Sequence, residues 1–273
     1  MFKRIRTGLT PSVTPLVGRE LGDQRFDDRD AGNVPPVRRR PSVRSTLVAA
    51  GLWPFGIGLT SWHYLWRTTP MHRSESPGSG EDAPPPLPQG FRDDDLQNAG
   101  DGVGPLFHRR YEVRIRGSRL SPEEVIHAVA CDPNCAAPTE FARFHRLEGA
   151  STPLRQNDEL LVHMPGPWNG PVRVSEVTPV SLRLATLAGH LEAGQIEFAA
   201  ERDGDLLRVR IESWARSGDR VSNVLYQHLR MAKEVQLHMW SSFLERIAEL
   251  AGGRLVGGIT IVTRRLEDGD AAR

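Results

Sequence analysis

The chain has 273 residues, enough for one large domain or for one domain with a long appendage. Its 35 basic and 34 acidic side chains leave a formal net charge of +1, which excludes nucleic acid as the main partner, because phosphate binding needs a surplus of cations on one face. The two cysteines exclude a disulfide-framed secreted fold and fall short of the four ligands of a structural zinc, so neither metal nor cofactor is expected.

Composition changes sharply along the chain. Residues 1–44 carry ten Lys/Arg against five Asp/Glu and no sustained hydrophobic period, and are expected to be a disordered basic arm. Residues 45–72 contain the one long apolar stretch, Leu47–Trp66. Its length just spans a bilayer, but Pro54, three glycines and His63 lower its hydropathy, while Trp53, Trp62, Tyr64 and Trp66 suit a membrane–water interface. Three readings stay open for 47–66: a span, an interfacial anchor, or a segment packed on the domain's own surface. The protein is accordingly read as cytoplasmic, with membrane contact confined to that stretch. Residues 73–104, with Pro84-Pro85-Pro86 and Asp93-Asp94-Asp95, have the composition of a solvated linker.

The folded domain is expected over 105–263. Tyr111, Val113 and Ile115 alternate with Glu112, Arg114 and Arg116, the pattern of a half-buried strand. Ser121-Pro122-Glu123-Glu124 is a capping box with proline in the first turn, so a short helix follows and stops near Asp132-Pro133. A second helical piece is expected over Pro138–Leu147, with Phe141 and Phe144 on one side. Cys131 and Cys135 fall between the two. A Cys/His site would need His127 and His145 to converge on them; the reading adopted is a helix-to-helix turn with two buried thiols.

Five alternating runs come next: Leu160/Val162/Met164, Val172/Val174, Leu182/Leu184/Thr186, Ile196/Phe198/Ala200 and Leu207/Val209/Ile211. Charged residues occupy the positions between, which predicts an antiparallel meander with one apolar and one wet face. Ser222–Ala251 then carries Val221, Leu225, Ala232, Met239, Phe243, Ile247 and Leu250 on one stripe, widened by Leu229, Val235 and Trp240, and ends at Gly252-Gly253. Gly257–Thr263 reads as one more strand, and 264–273 as a disordered tail. The fold class is α+β, a curved antiparallel sheet wrapped round a long C-terminal helix with a cavity between them.

That element order resembles the helix-grip, START-like (SRPBCC) superfamily of lipid carriers, polyketide cyclases and plant pathogenesis-type proteins. Thr186-Leu187-Ala188-Gly189-His190-Leu191-Glu192-Ala193-Gly194 is similar to the T-L-x-G-H-x-E-A-G hallmark of one branch, domain of unknown function nineteen-ninety, as are Gly166–Val172 and Ser213–Arg216 to further motifs of that branch. The resemblance implies a cavity-forming fold and brings no established reaction.

His190 and Glu192 are the candidate acid/base residues, placed in a strand connection between Gly189 and Gly194; the alternative is a loop brace in which Glu192 accepts from backbone amides. Trp168 is a candidate lid over the cavity or a cap on the core. Arg216, in the segment leading to the long helix, either clamps an anionic head group or pairs with Asp219. Phe198 and Met239 are candidate cavity lining. Lys233, Glu234 and His238 read as a solvated helix face, with an inward His238 as the alternative. Three functions are weighed: binding of a small hydrophobic ligand (lipid, isoprenoid or polyketide-like) in an internal cavity, a cyclase, aromatase or hydrolase using His190 and Glu192, and a membrane-associated interaction protein.

Overall fold

The computed structural model describes residues 69–139, 142–147, 149–164, 169–218 and 231–267, with side chains of the last run from 236 onward. The basic arm, the apolar stretch 47–66, Trp168, residues 219–230, where the long helix was expected to begin, and residues 268–273 lie outside the described residues. Among the described residues no helix is long and apolar enough to cross a membrane.

Among the described residues nine strands form one mixed sheet: β1 (Met71–Pro77), β2 (Val103–Arg116), β3 (Arg143–Arg146), β4 (Glu159–His163), β5 (Asn169–Thr178), β6 (Ser181–Thr186), β7 (Glu192–Asp203), β8 (Leu206–Ser217) and β9 (Arg254–Leu266), in the order β1-β9-β2-β8-β7-β6-β5-β4-β3. Two α-helices are described, α1 (Pro122–Cys131) and α2 (Met231–Leu250). The meander from β4 to β8 is antiparallel throughout, as its alternation requires. Its last hairpin closes on the two-residue turn Gly204–Asp205, where Gly204 takes φ 62, the positive angle that such tight turns need at their first central position.

One face of the sheet holds the core. Tyr111, Val113, Ile115, Leu182, Leu184, Phe198, Leu207, Val209 and Ile211 point into it and are all buried. Helix α2 packs across β2, β8 and β9, and α1 across β6 and β7. Helix α1 starts as its capping box dictates: the Ser121 hydroxyl accepts from the Glu124 N–H (3.2 Å) and the Glu124 carboxylate accepts from the Ser121 N–H (2.7 Å). Val125, Ile126 and Val129 then share its buried face. On α2, Trp240 and Phe243 meet Phe198 of β7, with ring centroids 5.7 and 5.1 Å apart and the rings crossed or tilted, the geometry that aromatic quadrupoles favour.

Five expectations are corrected. Pro138–Leu147 is not a helix: after one turn, Ala142 and Phe144 are buried while Arg143 and His145 are exposed, a period of two, and 143–146 pairs with β4 as β3. The sheet is mixed, because β1 lies parallel to β9. The C-terminal strand runs to Leu266, so Arg264–Leu266 belong to the sheet and not to a tail. Leu250 is 40% exposed and leaves the apolar stripe, while Leu237, Leu244 and Ala248 join it. The outer face of the sheet is wet only in part: Arg110, Arg114 and Arg116 of β2 are exposed, but residues 78–101, expected to be a linker, lie across the rest of it. Asp82 meets His108 of β2, the Pro85 carbonyl accepts from Gln195 of β7, and the Arg92 carbonyl and Asp94 accept from Arg173 of β5. This segment has no hydrophobic period because it serves the sheet mainly through carbonyls and carboxylates.

Replacing Phe243 with Ala removes the ring joining α2 to Phe198 and Trp240, and should lower unfolding free energy by about 3–5 kcal/mol, read by chemical denaturation with the m-value held constant.

Candidate functional site

Strand β8 carries the site because its inward residues change in character halfway along. Leu207, Val209 and Ile211 are followed on the same face by Ser213, Ala215 and Ser217. On β7 the matching positions go from Phe198 and Ile196 to Gly194 and Glu192, and on β2 from Tyr111 to Arg109. Large apolar side chains therefore give way to small and polar ones beneath the first described side chains of α2.

Three of those polar groups form a chain. The Arg109 guanidinium, 4% exposed, donates through Nη1 to Gln236 Oε1 (3.2 Å), and Gln236 Nε2 donates to Glu192 Oε1 (2.7 Å). Arg109 also lies 4.6 Å from the centre of the Phe107 ring, an arrangement in which the aromatic face helps carry the charge. Ser213 sits opposite Arg109, and Ser217 opposite Glu192. The Ser217 hydroxyl is buried, with no hydrogen-bond partner among the described residues.

His190 and Glu192 are adjacent, but their functional groups do not meet. Glu192 is the first residue of β7 and not part of the connection, and strand alternation turns its carboxylate inward to Gln236. His190 Nδ1 lies 2.9 Å from the Glu192 backbone N and 3.0 Å from the Glu192 carbonyl oxygen, so the Glu192 backbone engages that edge of the ring. Burial holds the His190 pKa below its ordinary value, against the opposing pull of the Glu192 charge and backbone. The other edge of the ring lies on Gly170 of β5, where a Cβ would come 2.6 Å from Cδ2 and 2.7 Å from Nε2. Glycine is needed at 170 for that close approach.

Gln97 of the outer segment fixes this loop from the other side. Its Nε2 donates to the carbonyls of His190 (2.8 Å) and Glu192 (2.9 Å), and its Oε1 accepts from the Gly189 N–H (3.1 Å). Its backbone is held by Thr186: the Gln97 N–H donates to the Thr186 carbonyl, and the Thr186 hydroxyl donates to the Gln97 carbonyl.

The remaining candidates scatter. Phe198 and Met239 are in the core. His238 is 7% exposed, so the solvated-face reading of that helix position is wrong. Ser213–Arg216 belong to β8 and not to a connection; Arg216 lies on the outer face, its side chain against Gly102. Cys131 Sγ is 3.4 Å from His127 Nε2 within α1, whereas His145 faces His163, ring centroids 4.6 Å apart, across β3 and β4. Cys135 is exposed and Cys131 half-buried, so neither is the buried thiol expected. Among the described residues no three His, Cys, Asp or Glu side chains are placed to hold a metal ion. An open depression of about 520 Å³ lies between β1 and the start of β9, lined by Thr69, Pro70, His72, Leu255, Gly257 and Gly258. Arg109, Gln236 and Gln97 were missed in the sequence. Arg109 had a signal, since it continues the Tyr111/Val113/Ile115 parity backward; Gln97 had none.

No family model matches the chain, and no curated protein matches it. Among solved structures it is similar to a hypothetical protein, jhp0584, from Helicobacter pylori (12% identity, TM-score 0.37, covering 52% of this chain and 86% of that one). It is similar also to norcoclaurine synthase from Thalictrum flavum (12%, TM-score 0.38, 56% and 89%). A third likeness is to the di-domain ARO/CYC StfQ from the steffimycin biosynthetic pathway (8%, TM-score 0.42, 56% of this chain and 52% of that one).

Gln97→Ala removes three bonds to the loop without touching the core. It should cost about 1–3 kcal/mol and speed amide hydrogen exchange in 187–192 ahead of the rest of β7 and β8.

Proposed function

We propose that the domain is a helix-grip binding module in which the sheet curves round α2 and takes a small molecule with a large apolar body and one polar end. The observation that carries this reading is the passage along the inner face of β8 from Leu207, Val209 and Ile211 to Ser213, Ala215 and Ser217, beneath a guanidinium that is 4% exposed. A solid core gains nothing from burying the Ser217 hydroxyl there, since a hydroxyl with no hydrogen-bond partner among the described residues costs free energy. A ligand's polar end reaching Ser217 would compensate it, with Arg109 and Gln236 alongside, while Phe198, Trp240 and Met164 supply the apolar side. The hallmark-like Thr186–Gly194 segment supports the same assignment, to the START-like branch that it resembles. Lipid, isoprenoid and polyketide-like molecules all have the required shape.

Proton transfer has less support. His190 Nδ1 is engaged by the Glu192 backbone and the Glu192 carboxylate by Gln236, so neither side chain activates the other.

Solvent extraction of the purified full-length chain, followed by mass spectrometry, should release one hydrophobic compound in near-stoichiometric amount. The anionic fluorophore 1-anilinonaphthalene-8-sulfonate should compete with that compound, and Arg109→Met should weaken fluorophore binding by about tenfold, or about 1.4 kcal/mol, with the circular dichroism spectrum unchanged. A chain that releases nothing and binds the fluorophore equally well with and without Arg109 does not use this face for a ligand.

A further inference from the structure

His108 stands on the outer face of β2 with a carboxylate at each ring nitrogen. Nδ1 is 2.9 Å from Asp82 Oδ1, in the 3-10 turn Gly80–Asp82, and Nε2 is 3.2 Å from Glu212 Oε1 on β8. A carboxylate oxygen only accepts, and a neutral imidazole has one N–H, so both bonds exist together only when the ring is the doubly protonated cation. The ring is stacked on Trp214 at 5.1 Å and 8°, which shields both contacts from water. His108, Asp82 and Glu212 side chains are 11, 18 and 7% exposed.

We propose that residues 80–101 are a pH-controlled strap: protonated His108 latches them to the outer face of the sheet, and loss of that proton loosens Gln97's hold on the loop that carries His190 and Glu192. The strap is one continuous segment. It is fixed by Asp82 at His108, by Asp94 at Arg173, and by Gln97 at the carbonyls of His190 and Glu192. Asp95 adds a backbone bond to Ala188 (2.7 Å), and Leu96 bridges to Leu187. Freeing the Asp82 end removes the first anchor of the segment and leaves those further along, Gln195 at Pro85, Asn157 at Gly90 and Arg92, Arg173 at Asp94 and the contacts of 95–97, to hold it.

The charged surroundings fix the direction. On β2, Arg110 donates to Glu212 Oε1 (2.9 Å). On β8, Arg210 lies 3.2 Å from Glu212 Oε2. Glu197 of β7 sits opposite Glu212, and Arg264 of β9 opposite His108. Burial works against the charged ring, but the bonds and charges of Glu212 and Asp82 outweigh it and raise the His108 pKa above its ordinary value. Burial likewise works against both carboxylates; His108, Arg110 and Arg210 nevertheless hold Glu212 down at about 2, and His108 and the Ser79 N–H hold Asp82 below its usual range. A raised histidine pKa contributes stability that is complete below the unfolded value and disappears as pH climbs through the folded one. The depressed carboxylates contribute above their ordinary values and fail only in acid. The latch is therefore tightest in mildly acidic solution and opens toward the alkaline side. None of this depends on a ligand at Arg109.

Hydrogen exchange of the full-length protein, normalised for the intrinsic pH dependence of amide exchange, tests the strap directly. Protection of peptides within 80–101 should fall by about tenfold between about pH 6 and about pH 9, the order expected when a charge-assisted hydrogen bond is lost as the ring gives up its proton. Peptides covering 187–192 should loosen with them, while the β2–β8 core keeps its protection. In His108→Gln the strap should show low protection with no pH dependence, and in Asp82→Asn the transition should move to lower pH. Wild-type strap protection that stays flat over this range overturns the proposal without any variant. So does a pH profile that persists unchanged in His108→Gln.

Discussion

A guanidinium that is 2% exposed keeps its charge only if the protein replaces nearly all of its water, and Arg173 shows how the outer layer meets that demand. Its Nε and Nη2 donate to Glu159, and its Nη1 and Nη2 reach both Asp94 carboxylate oxygens and the carbonyls of Arg92 and Asp94. The partners at Arg92 and Asp94 exist only because residues 78–101 lie over the sheet. The segment and the charged outer face thus require each other. Arg173, Gln195 and His108 would otherwise be ordinary solvated residues of an antiparallel sheet, and the segment, poor in apolar residues, would have little reason to settle.

The inner and outer layers meet at Glu192. Its carboxylate faces α2 through Gln236, while its carbonyl is held from the opposite side by Gln97. His190, two residues earlier, is fixed by the same Gln97 and by the Glu192 amide. A change in the outer segment is therefore felt first at the loop that borders the Arg109–Gln236–Glu192 chain, with few soft elements between.

What the sequence made legible was whatever has a period. The five meander strands were readable because Leu160 to Ile211 alternates cleanly, and α1 because Ser121 and Glu124 form a reciprocal cap. Phe144 misled because a short run with two aromatics three apart fits a helix as well as a strand, and pairing with β4 decided the matter. The 78–101 segment was hidden for a deeper reason: main-chain carbonyls leave no mark in a sequence, so Pro85 and Arg92 look like linker residues whether or not Gln195 and Arg173 bind them. At the site, the hallmark-like segment pointed to the right loop but not to its wiring. Neither Gln97 nor Gln236 could be linked to Glu192 without the register that brings elements 95 and 44 residues away to the same residue.

Strand β1 lies against β9, and His72 Nε2 meets the Gly257 carbonyl across 185 residues of chain. During synthesis from the N-terminus, β1 and the outer edge of β2 must wait, unpaired, until almost the entire domain has emerged. Such distant closure is slow and leaves strand edges open in the interval. The domain thus cannot finish assembling while its last strand is still within the ribosome. A chain ending just after α2 would expose two strand edges at once, making the 13 residues of β9 the point at which a nascent molecule becomes safe from its neighbours.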